Sequence, residues 1–125
     1  MSDDAESKAL DGWDAVVAFA LTLPDTESGT HYGGPAVKVR SNGRAFLATG
    51  REPDVSFCLL IDRDTIELLK ETDPATWYQP PHYVGWDALL VRYDSDDPER
   101  VRTMIALARD QAAAKKPSRA RKTKR

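Results

Sequence analysis

The apolar residues of this chain change period twice, from helical to alternating and back to helical, and few architectures accommodate that order. Near the start, Val16, Phe19, Ala20 and Leu23 recur at i, i+3, i+4 and i+7, one stripe of a helix from about Asp11 or earlier to Leu23, closed by Pro24. Val37 and Val39 then alternate with Lys38 and Arg40, and Val55, Phe57, Leu59 and Ile61 alternate again, as strands with one buried face require. Towards the end, Val101, Met104, Ile105, Ala108 and Ala112 return to helical spacing behind Asp97-Pro98, an N-cap and first-turn pair. That last helix ends by Pro117.

Punctuation fills in the rest. TESGTHYGGP, with Gly29, Gly33, Gly34 and Pro35, reads as a long shaped loop. Asn42-Gly43 between AVKVR and RAFLAT tolerates the positive φ angles of a tight hairpin. Asp64, with Glu67 three residues on, is placed to cap a short helix carrying Ile66 and Leu69, which Thr72-Asp73-Pro74 stops. Trp77 to Gln79 reads as a short extended stretch before an aromatic, proline-rich loop, and DALLVRY as a central strand. The expected fold class is α+β: two layers, a mainly antiparallel five-stranded sheet with helices on one face, in the order α-β-β-β-α-β-β-α.

At 125 residues there is material for one core, expected over residues 1–114. The remainder, 115–125, reads as a flexible basic tail. Against 20 acidic residues the chain has 18 Lys and Arg, of which seven lie in the tail: Lys115, Lys116, Arg119, Arg121, Lys122, Lys124 and Arg125. The body is therefore left with 11 basic residues and sits at about −9, the tail at +7. A cationic arm on an acidic body has the composition of a polyanion binder only in the arm. On the open face of the sheet, Lys38, Arg40 and Arg92 are the further candidates for phosphate contacts.

No apolar run approaches the roughly 20 residues that cross a bilayer, and MSDDAESK is acidic where a signal peptide is basic and then apolar. A cytoplasmic protein with no membrane partner is expected. Cys58 is the single cysteine, which excludes an internal disulfide and a thiolate metal cluster; within VSFCLLI it reads as a packing residue.

Catalytic and ligand constellations are sparse. His31-Tyr32 and His82-Tyr83 sit in the two most structured loops, and convergence of those loops would set His31, His82 and Glu27 in reach of a divalent metal; bonding to backbone carbonyls is the plainer role for both histidines. Tyr32, Trp77, Tyr78, Tyr83 and Trp86 supply flat rings for a ligand or a base, or simply stiffen a proline-rich loop. The glycines do not make a phosphate loop, because no Gly-Lys-Ser/Thr follows and a strand, not a helix, comes next. Ser28, His31 and Asp25 have the residue types of a triad but lie together on one loop without an oxyanion donor. Asp94, Asp96 and Asp97 begin like a calcium loop until Pro98 intervenes. No enzyme activity, metal or other cofactor is expected.

Leu23-Pro24, ESGTHYGGPAVKVR, the following hairpin, a third strand into a capped helix, Asp73-Pro74 and PPHYVGWDALLVRYD before an amphipathic last helix form an ordered set. Over residues 11 to 114 it resembles the MmcQ/YjbR family of small bacterial proteins. The resemblance implies an α-β(3)-α-β(2)-α fold and a DNA-binding role, and supplies no catalytic residue. A protein-interaction module, or a ligand-binding module using Tyr32, His31, His82, Tyr83 and Trp86, is the alternative function.

Overall fold

The structure, a computed structural model, describes residues 10–117. Its elements are α1 (Trp13–Ala20), β1 (Thr26–His31), β2 (Gly34–Val39), β3 (Ala45–Thr49), β4 (Ser56–Leu60), α2 (Arg63–Thr72), β5 (Trp77–Tyr78), a 3-10 turn (Pro81–Tyr83), β6 (Ala88–Arg92) and α3 (Pro98–Ala113). The strands form one antiparallel sheet in the order β1-β2-β3-β4-β6-β5. The class is α+β, as expected, but with six strands and four of them before the middle helix.

The extra strand is the segment expected to be a loop. Thr26 to His31 pairs with β2 from Thr26↔Val39 to His31↔Gly34, and Tyr32 and Gly33, at φ 52° and 83°, make the two-residue turn that matches strand twist. Glycines that read as breakers are turn and strand residues here. Gly29 lies under the Lys38 side chain, where an added Cβ would come within 3.2 Å of its Cδ. As an edge strand, β1 needs no apolar face and so carries no alternating signal.

The Asn42-Gly43 pair does not form a tight hairpin either. Arg40 extends the β1–β2 pairing by donating its N–H to the Asp25 carbonyl, Gly43 donates to the Val39 carbonyl, and the loop runs to Arg44, whose carbonyl accepts from the Val39 N–H. Between Val37 and Lys38 the β2–β3 register slips, because Val37 faces Leu47 while Lys38 faces Ala45. Phe46 is thus the extra residue of a bulge, and both Phe46 and Leu47 are fully buried in the main core.

All three helices pack on one face. Val16, Ala20, Ile66, Leu69, Val101, Ile105, Ala108 and Ala112 join Val37, Val39, Phe57, Leu59, Leu89 and Val91 in a single cluster. The first helix stops at Ala20, short of Leu23, as Thr22 and Leu23 turn their N–H groups back to Phe19 and Ala20. Asp62, not Asp64, caps α2: its carboxylate accepts from the Thr65 N–H at 3.0 Å and from Gln111 Nε2 at 2.6 Å, while its own N–H donates to Gln111 Oε1. Burial works to raise the Asp62 pKa, but the hydrogen bonds from Thr65 and Gln111 outweigh it and hold the carboxyl below its usual range. At the start of α3, Asp97 accepts from the Arg100 N–H at 3.1 Å, as the sequence suggests.

Asn42 closes the other end of α3. Buried at 8% exposure, its amide donates to the carbonyls of Ala112 at 2.9 Å and Lys115 at 3.1 Å, while its Oδ1 accepts from the Arg44 N–H. Replacing it removes a donor facing carbonyls that have no successor in the helix. Asn42→Ala is expected to cost about 1–3 kcal/mol, and Asn42→Asp more, since a carboxylate would face the negative end of the helix dipole. Urea unfolding of the three proteins at neutral pH measures this, and an Asp variant as stable as wild type contradicts the capping role.

Candidate functional site

The face of the sheet away from the helices is crossed by a row set by register: Gly29, Ala36, Ala48, Cys58, Leu90 and Tyr78. Small side chains keep this face shallow. A minor cluster of Ala36, Ala48, Cys58 and Leu90 is covered in part by Leu60, Tyr78, Tyr83 and Ala88. Tyr83 comes from the 3-10 turn, whose loop is held by Gln79: Nε2 donates to the carbonyls of Tyr83 and Ala88, and Oε1 accepts from Lys70. Tyr78 bonds Ser56 through its hydroxyl at 3.0 Å, with the Arg92 guanidinium 4.2 Å over its ring.

This arrangement divides the five aromatic candidates. Trp77 is a core residue at 1% exposure, so it belongs to no stacking surface. Tyr78 and Tyr83 are half-buried. Only Tyr32, at the β1–β2 turn, and Trp86, in the loop before β6, are exposed, at 97% and 66%. The two histidines stay with their own neighbours, His31 against Tyr32 at 4.4 Å and His82 against Tyr83 at 4.8 Å. They belong to opposite edges of the sheet: His31 ends β1, and His82 follows β5. Among the described residues no three His, Cys, Asp or Glu side chains gather where a metal ion would sit, so the His31, His82 and Glu27 trio is not assembled. Burial, then the nearby Lys38 charge, pull the His31 pKa down.

Basic groups concentrate at the end of the sheet where β2 meets β3. Lys115 and Lys116 are exposed, and their carbonyls are held by Asn42 Nδ2 and by Arg44 Nε, the latter at 2.7 Å. The chain is therefore anchored through Lys116, two residues past the expected end of the body at residue 114. Arg119, Arg121, Lys122, Lys124 and Arg125 lie outside the described residues. Of the three candidates on the sheet, Arg40 is spent within the fold, donating to the Thr26 carbonyl at 3.0 Å and facing Glu27 at 3.7 Å. Lys38 lies across Gly29, and Arg92 sits over Tyr78, so these cations do not form one patch. Arg44 was not distinguished by the sequence, where it reads only as the first residue of a strand; its role depends on the helix end that lands beside it.

An open cleft of about 660 Å³ lies at the opposite end, around the start of α1, with Asp11, Trp13, Asp14, Thr49, Asp54 and Tyr93 among its lining. Its carboxylates make it acidic, and among the described residues it is lined by no histidine, cysteine or lysine. Burial, then Asp54 and Asp14, push the Tyr93 phenol up to about 12. Among the described residues no helix is long and apolar enough to cross a membrane.

No family model matches the chain, and no curated protein matches it. Among solved structures it is similar to the crystal structure of Deinococcus radiodurans protein DR2400, described as a DUF419 domain, with 16% identity and a TM-score of 0.70 over 91% of this chain and 87% of that one. At that identity the likeness is one of fold.

Cys58 is buried, and burial, opposed by a hydrogen bond with Tyr83, pushes its thiol up to about 11 from 9.0. The thiolate is the reactive form, so its population falls by about 100-fold. A disulfide reagent at pH 8 is expected to label native protein at least about 100-fold more slowly than urea-unfolded protein; equal rates would show that the face opens readily.

Proposed function

We propose that this chain is a non-enzymatic, cytoplasmic DNA-binding protein of the MmcQ/YjbR type, whose phosphate contacts are made at the β2–β3 end of the sheet and along the tail that leaves it. The observation that carries the reading is the anchoring of Lys115 and Lys116 beside Arg44. It sets the first two tail cations next to a basic residue of the body, so the arm continues a cationic point on the fold. The family resemblance and the shared fold of the Deinococcus protein are compatible with it.

The charge balance decides the geometry of binding. An acidic body at about −9 repels a phosphate backbone within a Debye length of roughly 8 Å. Residues 118–125, fully extended, reach at most about 27 Å, enough to follow several phosphates without bringing the acidic cleft against them. Binding of this kind is independent of DNA sequence and steeply dependent on salt.

A second reading, a protein-interaction module, is favoured by one feature: Val84 and Trp86, at 60% and 66% exposure, stand together on the loop that Gln79 organises. Capture of a partner through that loop would survive high salt and loss of the tail.

The readings separate in a salt series of duplex DNA binding with intact protein and protein lacking residues 118–125. Deletion removes five cations and is expected to flatten the slope of log K against log salt by up to about 4.5, at about 0.9 per phosphate neutralised. An unchanged slope overturns the DNA reading. Arg44→Gln is expected to weaken binding in the intact chain without changing its sequence indifference.

A further inference from the structure

The β1 edge has its hydrogen-bonding phase fixed by the loop beside it. Because the Arg40 N–H donates to the Asp25 carbonyl, the paired residues of β1 are the odd-numbered ones, 27, 29 and 31, and the even-numbered ones turn their N–H and C=O groups outward. Of these outward groups, the Thr26 carbonyl is taken by the Arg40 guanidinium. Those of Ser28 and Thr30 have no backbone partner among the described residues. Beyond Thr26 the edge is open: Thr26–His31 contains no proline, lysine or bulge, its one charged residue is Glu27, and Ser28 and Thr30 are exposed on the side where the helices lie.

The side chains on the open face of this edge are also incomplete. The Lys38 stem crosses Gly29 towards the edge, and Lys38 forms no ion pair among the described residues. His31 sits close enough to feel that charge and has no carboxylate of its own to offset it. Glu27 lies on the same face two residues before Gly29; it faces Arg40 at 3.7 Å, and its side chain stays 43% exposed, leaving room for a second cation.

We propose that the protein forms a two-fold symmetric dimer by antiparallel pairing of β1 with β1 of a second copy, with Gly29 on the axis. This register sets Ser28 opposite Thr30 of the second copy, so the two pairs exchange four backbone hydrogen bonds using the outward groups that lack partners. It also sets Glu27 opposite His31 of the other copy on the open face, a position without backbone bonds between the pair, where side chains approach most closely. Lys38, crossing Gly29, reaches towards the same carboxylate. Both copies contribute these charges, so two carboxylates, each already facing Arg40 of its own copy, lie near the axis between two ammonium groups.

Neighbouring registers fit less well. With the axis at Ser28, Thr26 would need its carbonyl, which Arg40 holds, and His31 would face Asp25, which is outside the strand at φ 59° with its carboxylate bonded to Ser41. With the axis at Thr30, Ser28 falls opposite Tyr32 in the turn and Glu27 has no opposing residue.

Sedimentation of the full chain across a dilution series is expected to give twice the 13.9 kDa chain mass at the upper end, falling to one chain on dilution. Ser28→Pro, which removes an outward donor, and Glu27→Lys are each expected to give monomer with unchanged far-UV circular dichroism. Glu27→Lys combined with Lys38→Glu restores the dimer. Register is read by oxidation. Gly29→Cys pairs with itself at a Cα separation of about 4.5 Å, inside the disulfide range, and crosslinks; Thr30→Cys lies about 8 Å from its copy and does not. A chain monomeric at every concentration, a dimer indifferent to Ser28→Pro and Glu27→Lys, or equal crosslinking at positions 29 and 30 overturns the proposal, the first outcome leaving the edge to an extended peptide of another protein.

Discussion

Burial of the Val101, Ile105, Ala108 and Ala112 stripe of α3 against one face of the sheet is the constraint on which the remaining structure depends. The helix is 16 residues long, about 24 Å at 1.5 Å per residue, and its length lets a single element hold several others in place. Its final turns bind the α2 cap through Gln111 and Asp62, the β2–β3 loop through Asn42, and the chain after α1 through Arg109, which donates to the Pro24 carbonyl. These polar contacts converge where the apolar stripe ends, so hydrophobic docking positions groups that would find no partners in an undocked helix. Each bond is worth little alone, but leaving its buried donor or acceptor unpaired is costly.

With the helices on one side, the opposite face is left with little to bury. Gly29, Ala36, Ala48 and Cys58 keep it shallow, and Leu60, Tyr78, Tyr83 and Ala88 cover it in part. A shallow face of small side chains offers contact to an extended or flat partner. The separation of charge along the molecule has the same consequence: an acidic cleft at one end and a basic strand loop at the other make approach by a polyanion directional.

Patterns carried by one element's own residues were legible. Alternation in Val55–Ile61 marked β4, helical spacing after Asp97-Pro98 marked α3, and Cys58 was recognisable as a packing residue because its neighbours were apolar. The misreadings share a cause. Glycine in Thr26–His31 reads locally as a breaker, although an edge strand has no core to fill and tolerates it when a neighbouring side chain, here Lys38, covers the gap. Asn42-Gly43 was weighed as a local turn, although Asn42 serves a helix end seventy residues away. Asp64 has the local pattern of the α2 cap, with Glu67 three residues on, but Asp62 takes that place because Gln111 of α3 lies beside it.

The class of fold, the placement of apolar stripes and the division of charge between body and tail are readable along the chain, because period and composition are properties of contiguous residues. That β1 exists as an edge, that Arg40 is occupied while Arg44 anchors the departing chain, and that the two histidines do not meet follow only from the packed fold. Those outcomes depend on which distant backbone groups come within hydrogen-bonding distance, about 3 Å, and no local pattern encodes that distance.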